Sequence, residues 1–181
     1  MHARTLLAPL AVLVFTGCST YALPKYSASA DTVAKLRTLR PAKVSVGPIS
    51  GDKAAVRSIT CRGVGPVQPP EGMSFGDYVR GAIRSELVLA ELYDEASPVR
   101  IDGTISTLDF SSGMTDASWT MSLTLQSTTG AKVQSSIDYR FAGSFIGDTA
   151  CNQTAQAGLG AVNRLVETAV NDPAFPKLVK P

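Results

Sequence analysis

Residues 118–141 read SWTMSLTLQSTTGAKVQSSIDYRF, and this stretch decides the fold. Trp119, Met121, Leu123 and Leu125 alternate with Ser118, Thr120, Ser122 and Thr124. A period of two is that of a strand, and the chemical contrast gives it one buried and one wet face. Ser127-Thr128-Thr129-Gly130 supplies a turn. Val133, Ile137, Tyr139 and Phe141 then return opposite Gln134, Ser136, Asp138 and Arg140. The pair reads as an antiparallel hairpin.

Working upstream, Val99, Ile101, Gly103 and Ile105 alternate before the apolar parity slips to Leu108 and Phe110. The slip predicts a bulge or bend near Ser106. Before this strand lies a helical pattern. Ser74-Phe75-Gly76-Asp77 is a capping-box variant, with a hydroxyl for an orphan N–H and a carboxylate three residues on. Phe75, Val79, Ala82, Ile83, Leu87 and Ala90 make one apolar stripe, with Asp77, Arg80, Arg84 and Glu91 on the solvated side. Val44, Val46 and Ile49 mark a first strand. Between strand and helix, residues 50–73 are rich in Gly and Pro. They read as a long loop that hides a strand around 56–60 or forms a functional surface.

Downstream, residues 150–170 carry a second stripe in Ala155, Leu159, Val162, Leu165, Val166 and Ala169. Asn171-Asp172-Pro173 breaks it, and Phe175, Leu178 and Val179 are expected to dock back on the domain. The expected fold is α+β, in the order β-α-β-β-β-α. It has an antiparallel or mixed sheet of about four strands and both helices on one face.

The N-terminus carries a different signal. Arg4 precedes the ten apolar residues 6–15, a length that suits a signal-peptide core and is too short to span a bilayer. The run ends in Phe15-Thr16-Gly17-Cys18. Small residues directly before a cysteine resemble the lipobox of bacterial lipoproteins, with Phe15 where that family usually has leucine. The resemblance implies diacylglyceryl transfer to the Cys18 thiol, cleavage before it and acylation of the new amine. Several chains on one cysteine hold durably, whereas one chain holds marginally. Ser19 in place of aspartate implies the outer membrane facing the periplasm, with the inner membrane as the alternative. The expected division is a signal peptide over 1–17, a lipidated N-terminus and tether over 18–41, and a periplasmic domain over 42–181. Within the tether, Asp31 is placed to cap a short helix with Val33, Leu36 and Leu39, stopped by Pro41. An extended arm packed on the domain is the other reading of this segment.

Composition narrows the function. Of 181 residues, 44% are hydrophobic and 18% charged, enough for a core and too little charge for a disordered chain. With Arg4 removed, 16 basic residues face 15 acidic ones, so no electrostatic case for nucleic acid exists. The only histidine is His2, which the expected cleavage removes. Ser-His-Asp and Cys-His catalysis and imidazole metal sites are thereby excluded from the mature chain. No catalytic, metal-binding or cofactor-binding residues are assigned.

Cys61 and Cys151 remain once Cys18 is committed. In an exported chain such a pair is expected to bridge, and no C-x-x-C spacing suggests a redox site. Gly63-Val64-Gly65 lacks the third glycine of a dinucleotide loop and the Gly-Lys-Ser/Thr of a phosphate loop, and reads as a turn. Asp102, Asp109, Asp116 and Asp138 show no spacing that singles out a glycosidase pair. Trp119 reads as core. Asn152-Gln153-Thr154 fits a glycosylation sequon, which carries little meaning in a bacterial export context.

The element order behind a lipobox is similar to that of small envelope lipoproteins. These include activators of penicillin-binding proteins, the periplasmic part of the curli secretion lipoprotein and auxiliary lipoproteins of envelope transporters. The resemblance covers about residues 42–170 and is one of topology. It implies a non-catalytic role in contacts with an envelope protein partner. The alternatives are a small-ligand or lipid-binding module with a pocket between sheet and helices, and a histidine-free cell-wall hydrolase.

Overall fold

The computed structural model of the chain describes residues 19–180. The expected signal peptide and Cys18 lie outside the described residues. The fold is α+β, as the periodicity predicts. Its main layer is a mixed sheet of β2 (Ser45–Ser50), β5 (Arg100–Ser111), β6 (Asp116–Ser127) and β7 (Lys132–Ala142), in the order β2-β5-β6-β7. β2 runs parallel to β5, and the other pairs are antiparallel.

The hairpin pairs Met121 with Ile137 and Leu123 with Ser135, so the inward rows of both strands face the same layer. Ser135 is the exception to the apolar pattern. It is buried, and its hydroxyl donates to the Leu165 carbonyl at 2.8 Å, which satisfies it. At the turn, Gly130 adopts φ +90°, where a Cβ would be strained. The β5–β6 register shifts between Ile105 and Thr107, which puts the bulge at Ser106.

Helices α2 (Phe75–Leu89) and α3 (Gly147–Asn171) cover one face of this sheet. Ser74 caps α2: its Oγ accepts from the Asp77 N–H at 3.1 Å and donates to the Asp77 carboxylate at 2.7 Å. Every member of the predicted α2 stripe is buried. On α3, Leu159 is only half-buried and Gly158 takes the inward position, because the arm described below presses there. Trp119 is fully buried, 5.9 Å from Phe75 and 4.9 Å from Phe110 between ring centroids. Its Nε1 donates to the Thr154 carbonyl at 2.9 Å, so the indole meets its polar need inside the core. Phe175 and Leu178, at the ends of the short helix α4 (Phe175–Leu178), are buried with Val179.

Two features refine the expected pattern. Residues 50–73 do hide a strand, β3 (Ile59–Cys61), slightly later than expected, and a second one, β4 (Gly65–Gln68), which pairs with it as an antiparallel hairpin. A third strand, β1 (Tyr21–Ala22), pairs parallel with β4, so a second sheet of order β1-β4-β3 exists. Residues 19–41 combine the two readings: they form an arm packed on the domain, and the arm carries the short helix with Val33 and Leu36 on its buried side. Tyr21, Leu23, Val33 and Leu36 are buried. The helix in this arm, α1 (Ala30–Arg37), is capped by Ser29 rather than Asp31.

Candidate functional site

The arm is seated by α2 and α3. Tyr26 donates its hydroxyl to Glu86 Oε1 at 2.7 Å, and the Ser29 N–H donates to the same oxygen at 2.8 Å. Glu86 is 1% exposed, and its Oε2 has no hydrogen-bond partner. Tyr78 donates to the Pro24 carbonyl at 2.8 Å, and Tyr21 donates to Asp148 at 2.6 Å. Burial, with the Glu86 hydrogen bond second, raises the Tyr26 phenol above its ordinary range; burial alone pushes Tyr78 up to about 12. Both phenols are therefore neutral donors at physiological pH. Leu23 fills the space over Gly158, where a Cβ would come within 2.6 Å of the leucine side chain.

Cys61 and Cys151, the pair expected to bridge, meet. Their sulfurs are 2.08 Å apart and their Cα atoms 5.8 Å apart. Both cysteines are fully buried. The bridge fastens β3, and through β4 the arm strand β1, to the start of α3.

The face of the main sheet away from α2 and α3 is polar and uncovered by any described element. Thr120, Gln126, Gln134 and Ser136 are exposed on it, and Ser122 and Ser136 share a 2.9 Å hydrogen bond. Near the β6–β7 turn it dips into an open depression of about 570 Å³ bounded by Asp102, Thr124, Thr128 and Lys132. β7 closes the sheet on one side, with no further strand paired to it among the described residues. A second open groove, of about 400 Å³, follows Ser136 to Arg140 along β7 and is flanked by Arg164 and Thr168 of α3. An unpaired edge offers backbone donors and acceptors to an incoming strand.

The carboxylates weighed as a hydrolytic pair do not converge. Asp102 is engaged by Arg100 at 2.9 Å, and Asp138 by Arg140 at 3.3 Å. Asp109 pairs in register with Thr120, and Thr120 with Asp138. The two acids thus sit two strands apart, about 10 Å between backbones. Asp116 lies at the start of β6. Gly63 and Val64 lie in the β3–β4 turn, with Gly63 at φ +68°, and Gly65 opens β4. Trp119 is core. Between sheet and helices, a gap lined by Ile83, Leu87 and Val166 holds about 10 Å³, no more than one water would need. No group of three or more metal-ligating side chains occurs among the described residues.

Glu86 is the buried, arm-holding acid that pattern reading passes over. Its position three after Ile83 and four after Ala82 puts it on the apolar stripe, and a lone acid there is a legible sign of a buried partner.

The described residues thus define a class: a two-layer α+β domain with its N-terminal arm built into a second sheet. No family model matches the chain, and no curated protein matches it. Among solved structures it is similar to a DUF330 protein of Xanthomonas campestris, at 10% identity and a TM-score of 0.49. The alignment covers 84% of this chain and 95% of that one.

Proposed function

We propose that this chain is a lipid-anchored, non-catalytic protein of the bacterial envelope that binds a protein partner. In this reading residues 1–17 are cleaved as a signal peptide and Cys18 is acylated. The domain then faces the periplasm from the outer membrane, with the inner membrane as the alternative. The lipobox at Phe15-Thr16-Gly17-Cys18 supports the anchor. The observation that carries the binding role is the free 11-residue edge of β7 beside an uncovered polar face. Partners that add a strand gain main-chain hydrogen bonds along such an edge. The neighbouring charges, Arg140, Arg164 and Asp138, lie where they can select among strands. The titratable groups on the open face are spread out or ion-paired, and the buried acid Glu86 is engaged by the arm, which supports a role without turnover.

Site-specific photocrosslinking in intact cells tests this. A photoreactive residue at Ser136, on the edge, is expected to trap one envelope protein. The same residue at Ser85, on α2, is expected to trap none. Equal trapping at both positions, or measurable hydrolysis of cell-wall glycan by the purified protein, overturns the reading.

A further inference from the structure

Six large apolar side chains are strongly exposed among the described residues, and four of them lie on three loops at one end of the molecule. Phe145 is 75% exposed and Ile146 66%, on the loop between β7 and α3. Met114 is 59% exposed between β5 and β6, and Val64 41% in the β3–β4 turn. The loops are fastened to each other. The Arg62 guanidinium donates to the Ser144 carbonyl at 2.9 Å and to Ser112 Oγ at 3.2 Å. The Gly143 N–H donates to the Thr115 carbonyl at 3.0 Å. A Cβ on Gly147 would touch Val64 Cγ2 at 3.0 Å, which sets the β3–β4 turn against the start of α3. The four side chains therefore form one apolar tip held by a polar frame, not scattered exposures. Single exposed apolar residues need no explanation, whereas a clustered set marks a contact surface.

What covers the tip is indicated by where the chain enters. A Cβ on Gly65, the residue after Val64, would collide with the Ser19 carbonyl. The first described residue thus lies against the tip, and Cys18 is one peptide bond upstream. We propose that this tip inserts into the surface of the bilayer that holds the acyl chains of Cys18. The inference rests on the acylation proposed above and adds a membrane-facing end and an orientation to it. Charge near the tip is of both signs: Arg62 lies in the β3–β4 turn, Asp116 at the start of β6, and Asp148, bound to Tyr21, in the first turn of α3. The contact is apolar rather than electrostatic, so zwitterionic lipid suffices and added salt leaves it unchanged. Phe145 supplies a bulky apolar ring of the kind interfacial segments bury, and Arg62 has the length to reach phosphates while its stem stays apolar.

The experiment uses the full mature protein in phosphatidylcholine–phosphatidylethanolamine vesicles with brominated acyl chains. Phe145→Trp reports on the tip. Leu89→Trp, on α2 and remote from these loops, carries the same indole preference for interfaces and serves as the reference. Trp119 is fully buried and adds a background that lipid does not reach. The intact mass is measured first. With Cys18 acylated, Phe145→Trp is expected to lose most of its added emission to the brominated chains, at low and high salt alike, and Leu89→Trp to keep its own. Acylated protein in which Phe145→Trp is quenched no more than Leu89→Trp overturns the insertion and leaves the anchor standing. A mature chain without acyl groups on Cys18 removes the anchor, and the insertion with it.

Discussion

Glu86 is where single residues matter most. One carboxylate oxygen receives both a phenol and a backbone N–H from the arm, while the other oxygen has no partner. Glu86→Ala leaves the Tyr26 hydroxyl and the Ser29 N–H without acceptors in a half-buried setting. A loss of about 2–4 kcal/mol is expected, read from denaturant unfolding. The two tyrosines give the arm a pH limit. Both phenols are raised in the folded chain, Tyr78 to about 12. An unfolded phenol titrates near 10, so the unfolded state loses its protons first. The stabilisation is complete below about pH 10 and drains away as pH rises toward the folded values. Unfolding midpoints are expected to hold between about pH 7 and 9 and fall above 10, and less steeply in Tyr26→Phe/Tyr78→Phe. An equally steep fall in that variant removes the tyrosines as the cause.

Elements were legible in proportion to their length and periodicity. The strands β5, β6 and β7 alternate over 11 or 12 residues each, enough repeats to reveal even the slip at Ser106. The helix α2 announced itself through its stripe and its Ser74 cap. β1 could not be read the same way: two residues carry no period, and its partner β4 is more than 40 residues away. β3 is only three residues long and surfaced as no more than a suspected strand around 56–60, while Gly65 and Pro66 disguised β4 as loop. The arm and α3 meet at Gly158, where propensity and packing oppose each other. Alanine is favoured over glycine inside a helix by about 1 kcal/mol. Yet Gly158→Ala drives a Cβ into Leu23. The variant is expected to be less stable than the parent despite its better propensity, with faster proteolysis confined to residues 19–41. A stabilised variant shows that the arm yields without loss.

At the scale of the molecule, the Cys61–Cys151 bridge joins the second sheet to the helical layer and spans 90 residues of sequence. In the chain-entropy account a loop of this size is worth at most about 4–5 kcal/mol. Cys61→Ala/Cys151→Ala is expected to lower stability by a few kcal/mol, and native protein to resist mild reductant because both sulfurs are buried. Rapid reduction under native conditions contradicts this and points to frequent opening of the small sheet. The cysteine pair was legible from the expectation of export and from count. The candidate surfaces were not, because a free edge and a clustered apolar tip are products of topology, and no local run of residues encodes either.

The early seating of the arm fixes a geometry. Tyr21 is already paired in a sheet, three residues after Cys18. Extended chain advances at most about 3.5 Å per residue, so an acylated Cys18 sits within about 10 Å of the body of the protein. Under the proposed acylation the molecule stands as a post of set height, not a ball on a string. It cannot sweep the space above the lipid for a distant target, and whatever it meets has to approach to within one domain length of the bilayer.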